Sequence, residues 1–153
     1  MEIPRKPDNA VEVFRSEIPI RWGDMDGMGH VNNTLYFRYM EQARISWFDS
    51  MDFAPDPKGE GPVIINAGCT FITQFEYPGT VLVRQFVGRM GSSSVDTYAL
   101  LSRTDSPARI DAEGCSRVVW VNQPARKSSP LPESVRRLLV TPHASVLSSP
   151  YSL

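Results

Sequence analysis

The most informative stretch of this sequence is Arg21-Trp22-Gly23-Asp24-Met25-Asp26-Gly27-Met28-Gly29-His30-Val31-Asn32-Asn33. It combines two carboxylates, three glycines, a histidine and two asparagines, and a long aromatic-rich helical pattern follows it directly. Glycines let the backbone approach a ligand closely, and the start of a helix offers unpaired N–H donors. Because this combination stabilises a developing anion, an enzyme acting on a small molecule is the leading hypothesis.

A long helix is predicted from about Asn33 to Met51, with Asn32 or Asn33 as its N-cap. Its apolar side chains recur at spacings of three and four residues, which indicates one buried face: Leu35, Tyr36, Tyr39, Met40, Ala43, Trp47 and Met51. Three prolines and two glycines in residues 54–62 predict a loop after the helix.

The remainder of the chain favours strands. Residues rich in Val, Ile, Thr and aromatics recur with a period of two in four segments, at 63–75, 81–89, 95–103 and 112–121. Turn-forming residues separate them, so we expect successive strands to pair as an antiparallel meander. Two shorter extended pieces are predicted at 11–14 and 18–22, and a short closing helix at 131–139.

These elements indicate an α+β fold in which one face of an antiparallel sheet of about five to six strands covers the long helix. We expect a flexible N-terminus at residues 1–10, one domain at 11–140 and a C-terminal tail at 141–153. An unpaired edge strand would promote aggregation, so edge-to-edge pairing of two subunits is favoured.

Composition excludes several classes of protein. The chain has 153 residues, of which 41% are hydrophobic and 22% charged, and its net charge of −1 does not favour a nucleic-acid partner. No apolar run approaches the roughly 20 residues of a membrane span, and no signal peptide is evident, so the expected location is the cytoplasm. Cys69 and Cys115 are expected to be reduced core thiols, and they and the two histidines are too scattered to predict a metal site.

A known family shares the pattern of these residues. The run from Asp24 to Asn33, followed by Tyr36, Tyr39, Glu41 and Arg44, resembles the hotdog-fold acyl thioesterases of the 4-hydroxybenzoyl-CoA thioesterase type. Weaker matches follow in the family's order, including Pro78-Gly79-Thr80-Val81, Gly91-Ser92-Ser93-Ser94, Val119-Trp120-Val121 and Pro130-Leu131-Pro132-Glu133. The resemblance covers roughly residues 11 to 140.

The resemblance implies a central helix wrapped by a curled sheet, with dimers or tetramers whose active sites lie between subunits. It implies an acyl-CoA thioesterase without a cofactor or metal, in which Asp26 acts as base or nucleophile and amides near Asn33 bind the thioester oxygen. The chemistry agrees, because thioester hydrolysis builds negative charge on the carbonyl oxygen and a helix N-terminus stabilises such charge.

Each candidate residue also has a structural interpretation. Sequence chemistry alone does not choose between Asp24 and Asp26; the resemblance favours Asp26 as the acid and leaves Asp24 to stabilise the turn. His30 is either a hydrogen-bonded structural residue or a group that orients the substrate or Asp26. In the related plant acyl carrier protein thioesterases an Asn stands between the Asp and the His, whereas this chain has Met28 there.

Three further residues are candidate substrate contacts, each with a competing interpretation. Asn32 is expected to act first as a helix cap. The stripe of Tyr36, Phe37, Tyr39 and Trp47 favours the core over an acyl pocket, although Tyr36 is retained as a candidate contact. Asn66 interrupts an apolar strand that is expected near the partner subunit's site.

Two other functions remain open at this point: hydration or dehydration of an acyl thioester, and binding of an acyl thioester without catalysis. The acyl group is not readable from the sequence, and acyl carrier protein is an alternative to coenzyme A as the carrier.

Overall fold

The computed structural model describes residues 1–53 and 56–153. The two longer helices are α1 (Asn33–Ser50) and α2 (Glu133–Leu139), and a single helical turn, α3 (Ala144–Leu147), lies near the C-terminus. The strands are β1 (Val11–Pro19), β2 (Glu60–Phe71), β3 (Thr80–Met90), β4 (Ser94–Arg103), β5 (Ala112–Asn122) and the two-residue β6 (Lys127–Ser128). The α+β composition and the antiparallel sheet of about five to six strands are confirmed.

Several predicted boundaries were wrong. The extended pieces at 11–14 and 18–22 belong to one strand that ends at Pro19, and Trp22 begins a short 3-10 turn instead. Part of the predicted loop at 54–62 lies outside the described residues, and residues 60–62 belong to β2. The strand predicted at 63–75 ends at Phe71, because the Phe75 amide bonds to the Tyr36 hydroxyl and its carbonyl to the Val31 amide.

The strands form one antiparallel sheet in the order β1-β3-β4-β5-β2, with β6 added beside β5. The meander prediction is confirmed for β3, β4 and β5 but wrong for β2, which pairs with β5 rather than with β3. The connection at residues 72–79 carries the chain from β2 at one edge of the sheet toward the opposite edge, where β3 pairs with β1. As a result β2 is an edge strand.

One face of the sheet packs on α1, as expected. The helix buries Tyr36, Tyr39, Met40, Trp47 and neighbouring side chains against apolar residues of β1, β3, β4 and β5. Burial of this apolar surface stabilises the packing of the helix on the sheet. The prediction of a core position was wrong for Phe37, whose side chain is 37% exposed on the flank of α1 that faces β2.

Both ends of the chain contact the domain. The Lys6 amide donates to the Glu113 carboxylate at 2.9 Å. Near the other end, the Arg15 guanidinium donates to the Ser149 hydroxyl and the Tyr151 carbonyl, and the His143 amide donates to the Val13 carbonyl. The predicted domain bounds and the cytoplasmic location stay predictions.

Among the described residues, no helix combines the length and apolar character that crossing a membrane would require.

Candidate functional site

The segment before α1 folds into a tight turn closed by its own backbone. The Asp26 amide donates to the His30 carbonyl at 2.8 Å, and the Gly29 amide donates to the Asp26 carbonyl at 3.1 Å. Gly29 has a φ of 80°, in the left-handed region that glycine adopts at no steric cost. The turn therefore reverses the chain and brings Asp26 back to the start of the helix.

Asp24 is a structural residue of this turn. Its side chain is only 7% exposed, and its Oδ2 accepts hydrogen bonds from the Arg21 amide at 2.9 Å and from the Tyr39 hydroxyl at 2.7 Å. Burial, together with the nearby Asp24 carboxylate, raises the pKa of Tyr39 far above its ordinary value, so this phenol remains a donor. With these bonds made, Asp24 fixes the turn rather than meeting a ligand.

Asp26 is half-buried and only partly engaged. Its Oδ1 accepts a hydrogen bond from the Met28 amide at 2.8 Å. Its Oδ2 accepts none from the described part of the chain. One carboxylate oxygen thus orients the group while the other, with no donor among the described residues, is available as a base or a nucleophile.

At the start of α1, the Asn33 backbone amide has no acceptor among the described residues. Asn32 is the N-cap: its side-chain oxygen accepts from the Thr34 amide at 2.9 Å, and its carbonyl accepts from the Leu35 amide at 2.9 Å. No acidic side chain lies in the first turn of α1, so the positive end of the helix dipole can attract an anion there.

These groups share a cleft of about 310 Å³. It is lined by Asp26, Met28, His30, Val31, Asn33, Tyr36, Phe71 and Gln74. The structure therefore brings together four residues selected from the sequence: Asp26, His30, Asn33 and Tyr36. Sequence reasoning missed Phe71 and Gln74, which reach the cleft from the end of β2 and the segment after it. Nothing in the local sequence marks these two residues as part of a site, since aromatic and amide side chains are common at the ends of strands.

His30 and Tyr36 contribute differently to the cleft. The His30 Nε2 is 3.7 Å from the exposed Glu76 carboxylate, and the imidazole is partly open to solvent. Tyr36 is 2% exposed, and its hydroxyl accepts a hydrogen bond from the Phe75 amide at 2.9 Å. Tyr36 is thus a core residue that presents part of its ring to the cleft.

Asn66 lies elsewhere in the subunit. It follows a register shift in β2 and lines a separate cavity with Asp96, Tyr98 and Arg117. The sequence prediction assigned it to the partner's site, and the isolated chain does not test that assignment. In the described residues, no group of three or more His, Cys, Asp or Glu side chains is placed to hold a metal ion.

Comparison with known proteins assigns the family. Residues 20–139 match the model of the thioesterase-like superfamily. The solved structure of the PA2801 protein from Pseudomonas aeruginosa is 39% identical, covers 82% of this chain and 97% of its own, and superposes with a TM-score of 0.77. Slr0204, a 1,4-dihydroxy-2-naphthoyl-CoA thioesterase from Synechocystis, is 20% identical, covers 82% of this chain and 94% of its own, and has a TM-score of 0.74.

A curated protein, the uncharacterised YsmA of Bacillus subtilis, is 26% identical over 87 residues, which span 57% of this chain and 59% of YsmA. The superfamily match covers the turn, α1, the sheet strands from β2 to β6 and α2, and the structural matches share the same sheet and helix. The chain therefore belongs to the thioesterase-like superfamily and has the hotdog fold.

Proposed function

We propose that this protein is an acyl-CoA thioesterase that hydrolyses a thioester to a carboxylic acid and coenzyme A. The observation that carries the proposal is that the Asn33 amide and the Asp26 Oδ2, neither of which has a partner among the described residues, belong to residues that line one cleft. A thioester carbonyl oxygen placed at the Asn33 amide would gain charge beside the positive end of α1.

Asp26 supplies the second requirement of the reaction. As a base, its Oδ2 takes a proton from water, the hydroxide adds to the carbonyl carbon, and the C–S bond breaks to release the thiolate, which then takes the proton. As a nucleophile, Oδ2 adds directly to the carbonyl carbon, the thiolate leaves, and water cleaves the resulting anhydride. Both routes need the same carboxylate oxygen, the one that accepts no hydrogen bond from the described residues.

The other site residues support these two groups. We propose that His30 helps to orient the substrate carbonyl or Asp26, and that the ring of Tyr36 contacts the acyl group. Asn32 fixes the first turn of α1 and so the direction of the Asn33 amide. The reaction as written uses protein groups and water alone, with no cofactor.

Replacement of Asp26 tests the proposal. Asp26→Asn keeps the size of the side chain and an oxygen that can accept from the Met28 amide, but it removes the basic and nucleophilic carboxylate. We expect kcat to fall by about 10²–10⁴-fold, measured as release of free thiol from a panel of acyl-CoAs. Asp49→Asn, at an exposed position in the last turn of α1, is the matched control and should keep full activity.

Hydrolysis by Asp26→Asn at the wild-type rate would contradict the assignment. Product analysis separates the alternatives: change of the acyl group without thiol release would indicate a hydratase or dehydratase, and saturable binding without turnover a non-catalytic protein. Parallel assays with acyl carrier protein thioesters test the alternative carrier.

We also propose that the protein is a homodimer joined through β2, with the helix of each subunit wrapped by the joined sheets. The centre of this edge strand exposes Ile64 and Ile65, with Asn66 beside them. An exposed apolar strand edge is one that soluble proteins protect by pairing. Pairing there would place Asn66 of each subunit close to the other subunit. Sedimentation should give twice the mass of one chain, and Ile65→Lys should shift the mass toward the monomer. A wild-type monomer would refute this arrangement.

A further inference from the structure

Two cavities lie along the same flank of α1, and an aromatic pair separates them. The cleft that contains Asp26 is bounded on this side by Phe71. A second cavity of about 270 Å³ is bounded by Phe37 and continues past Met40 and Arg44. The rings of Phe37 and Phe71 stand nearly at right angles with centroids 6.5 Å apart, and Phe71 in turn packs edge-on against Tyr36 at 5.0 Å.

The position of this pair limits the length of an acyl group. Phe37 follows Asn33 by four residues, which is about 6 Å along a helix. An extended chain advances about 1.2 Å per bond, since an extended residue spans about 3.6 Å and contains three main-chain bonds. An acyl chain with its carbonyl at the Asn33 amide, running along α1, would therefore meet Phe37 and Phe71 after about five bonds.

The second cavity lies beyond the aromatic pair and has a mixed lining. Its polar residues are Glu41, the half-buried Arg44, Gln85, Thr97 and Ser116, and its apolar residues include Met40, Ile64, Ala67 and Ala99. The Thr97 and Ser116 hydroxyls bond to each other at 2.7 Å. The apolar part of this cavity would take the methylenes of a longer chain, so the Phe37–Phe71 pair is what separates the Asp26 cleft from that space.

We propose that Phe37 and Phe71 close the acyl cleft, so that the enzyme selects compact acyl groups, short chains of up to about six carbons or a single aromatic ring. This inference rests on the proposed thioesterase function and adds the class of substrate and the side chains that determine it. Phe37 is the better one to change, since Phe71 also packs against the buried Tyr36.

The test is a comparison of kcat/KM for butyryl-, hexanoyl-, decanoyl-, myristoyl- and benzoyl-CoA. The wild type should lose at least tenfold between hexanoyl and decanoyl, with benzoyl close to hexanoyl. Phe37→Ala joins the two cavities and should reduce that loss at least threefold, mainly by raising the decanoyl value. Ile45→Ala is the matched control: it lies on the same helix, is 39% exposed against 37% for Phe37, and lines neither of the two cavities.

Phe37→Leu provides a second variant that keeps an apolar side chain of similar bulk, and thermal unfolding of each variant checks the fold. An equal rate for hexanoyl and myristoyl in the wild type would overturn the inference while leaving the thioesterase function intact. So would a length profile in folded Phe37→Ala identical to that of the wild type or of Phe37→Leu, which should keep most of the loss between hexanoyl and decanoyl. Absence of thiol release from every thioester would instead refute the proposed function itself.

Discussion

Tyr39→Phe removes a single oxygen atom from the core, and its effect can be worked from the structure. Tyr39 is 2% exposed, and its hydroxyl donates to the Asp24 Oδ2 at 2.7 Å. The Asp24 carbonyl in turn accepts from the Asn32 amide at 2.9 Å. The Tyr39 hydroxyl therefore connects the middle of α1 to the turn that presents Asp26.

The expected cost follows from what remains after the change. Phenylalanine fills the same volume apart from the oxygen, so almost no cavity forms, but among the described residues the Asp24 Oδ2 keeps only the Arg21 amide as a donor. A hydrogen bond to a charged group contributes about 1.5–3 kcal/mol, and we take about 2 kcal/mol as the loss in the free energy of unfolding. For a chain of this size each kcal/mol lowers Tm by about 2–4 °C, so the expected decrease is about 4–8 °C.

Urea unfolding at pH 7, followed by circular dichroism, measures this difference. Tyr98→Phe is the matched control, because Tyr98 is half-buried on β4 and its hydroxyl makes no hydrogen bond within the described residues. The control should stay within about 0.5 kcal/mol of the wild type. A Tyr39→Phe variant as stable as the wild type, or a control that is equally destabilised, would refute the reasoning.

The same residue predicts a dependence on alkaline pH. Burial, and then the Asp24 carboxylate, raise the pKa of Tyr39 above the value of 10.0 expected for a free side chain. Stability from a raised pKa is fully present below pH 10 and is lost above it, since only the unfolded chain then releases the proton. The difference in stability between wild type and Tyr39→Phe should be constant from pH 7 to 9 and should narrow above pH 10. A difference that widens there would contradict the assignment.

Three further predictions concern the cap, the imidazole and a buried thiol. Asn32→Ala removes the acceptor of the Thr34 amide and should cost about 1 kcal/mol in urea unfolding, with a decrease in kcat; unchanged stability would exclude the capping role. His30→Ala should lower the rate of thiol release by a smaller factor than Asp26→Asn, and an unchanged rate would make His30 purely structural. Burial raises the pKa of Cys69 from 9.0 to about 12, so the stability of the wild type relative to Cys69→Ala should decrease as pH rises from 9 toward 12; a constant difference in urea unfolding would contradict this.

The helix was predictable because its information is local. Apolar side chains at three- and four-residue spacing placed α1 at residues 33–51, and the observed helix is Asn33–Ser50. Periodicity defines a buried stripe but not its edges, which is why Phe37, beside the buried Tyr36, was assigned to the core although it lies on an exposed flank. The edge of the stripe depends on which strand covers it, and that depends on tertiary contacts.

The neighbours of β2 were not predictable for a related reason. A period of two identifies a strand but says nothing of its partner, and adjacency in sequence favoured β3. In the structure the Ile72 and Thr73 amides both donate to the Asp111 carbonyl, which anchors the chain beside β5 as it leaves β2. These bonds are made by main-chain atoms, which any residue type provides, so the side chains carry no signal of them.

The choice between Asp24 and Asp26 shows how burial separates two residues of the same chemistry. The sequence places the two carboxylates two positions apart in one turn, with equal access to the start of α1. Tyr39, fifteen residues after Asp24, donates to Asp24 and holds it in the core. Gly29 lets the chain turn back so that Asp26 shares the cleft of the Asn33 amide. A buried carboxylate that already accepts two hydrogen bonds is a poor base for a substrate. The Asp26 Oδ2 accepts none from the described residues, and Asp26 lines the same cleft as Asn33, which supports the proposal that the reaction depends on it.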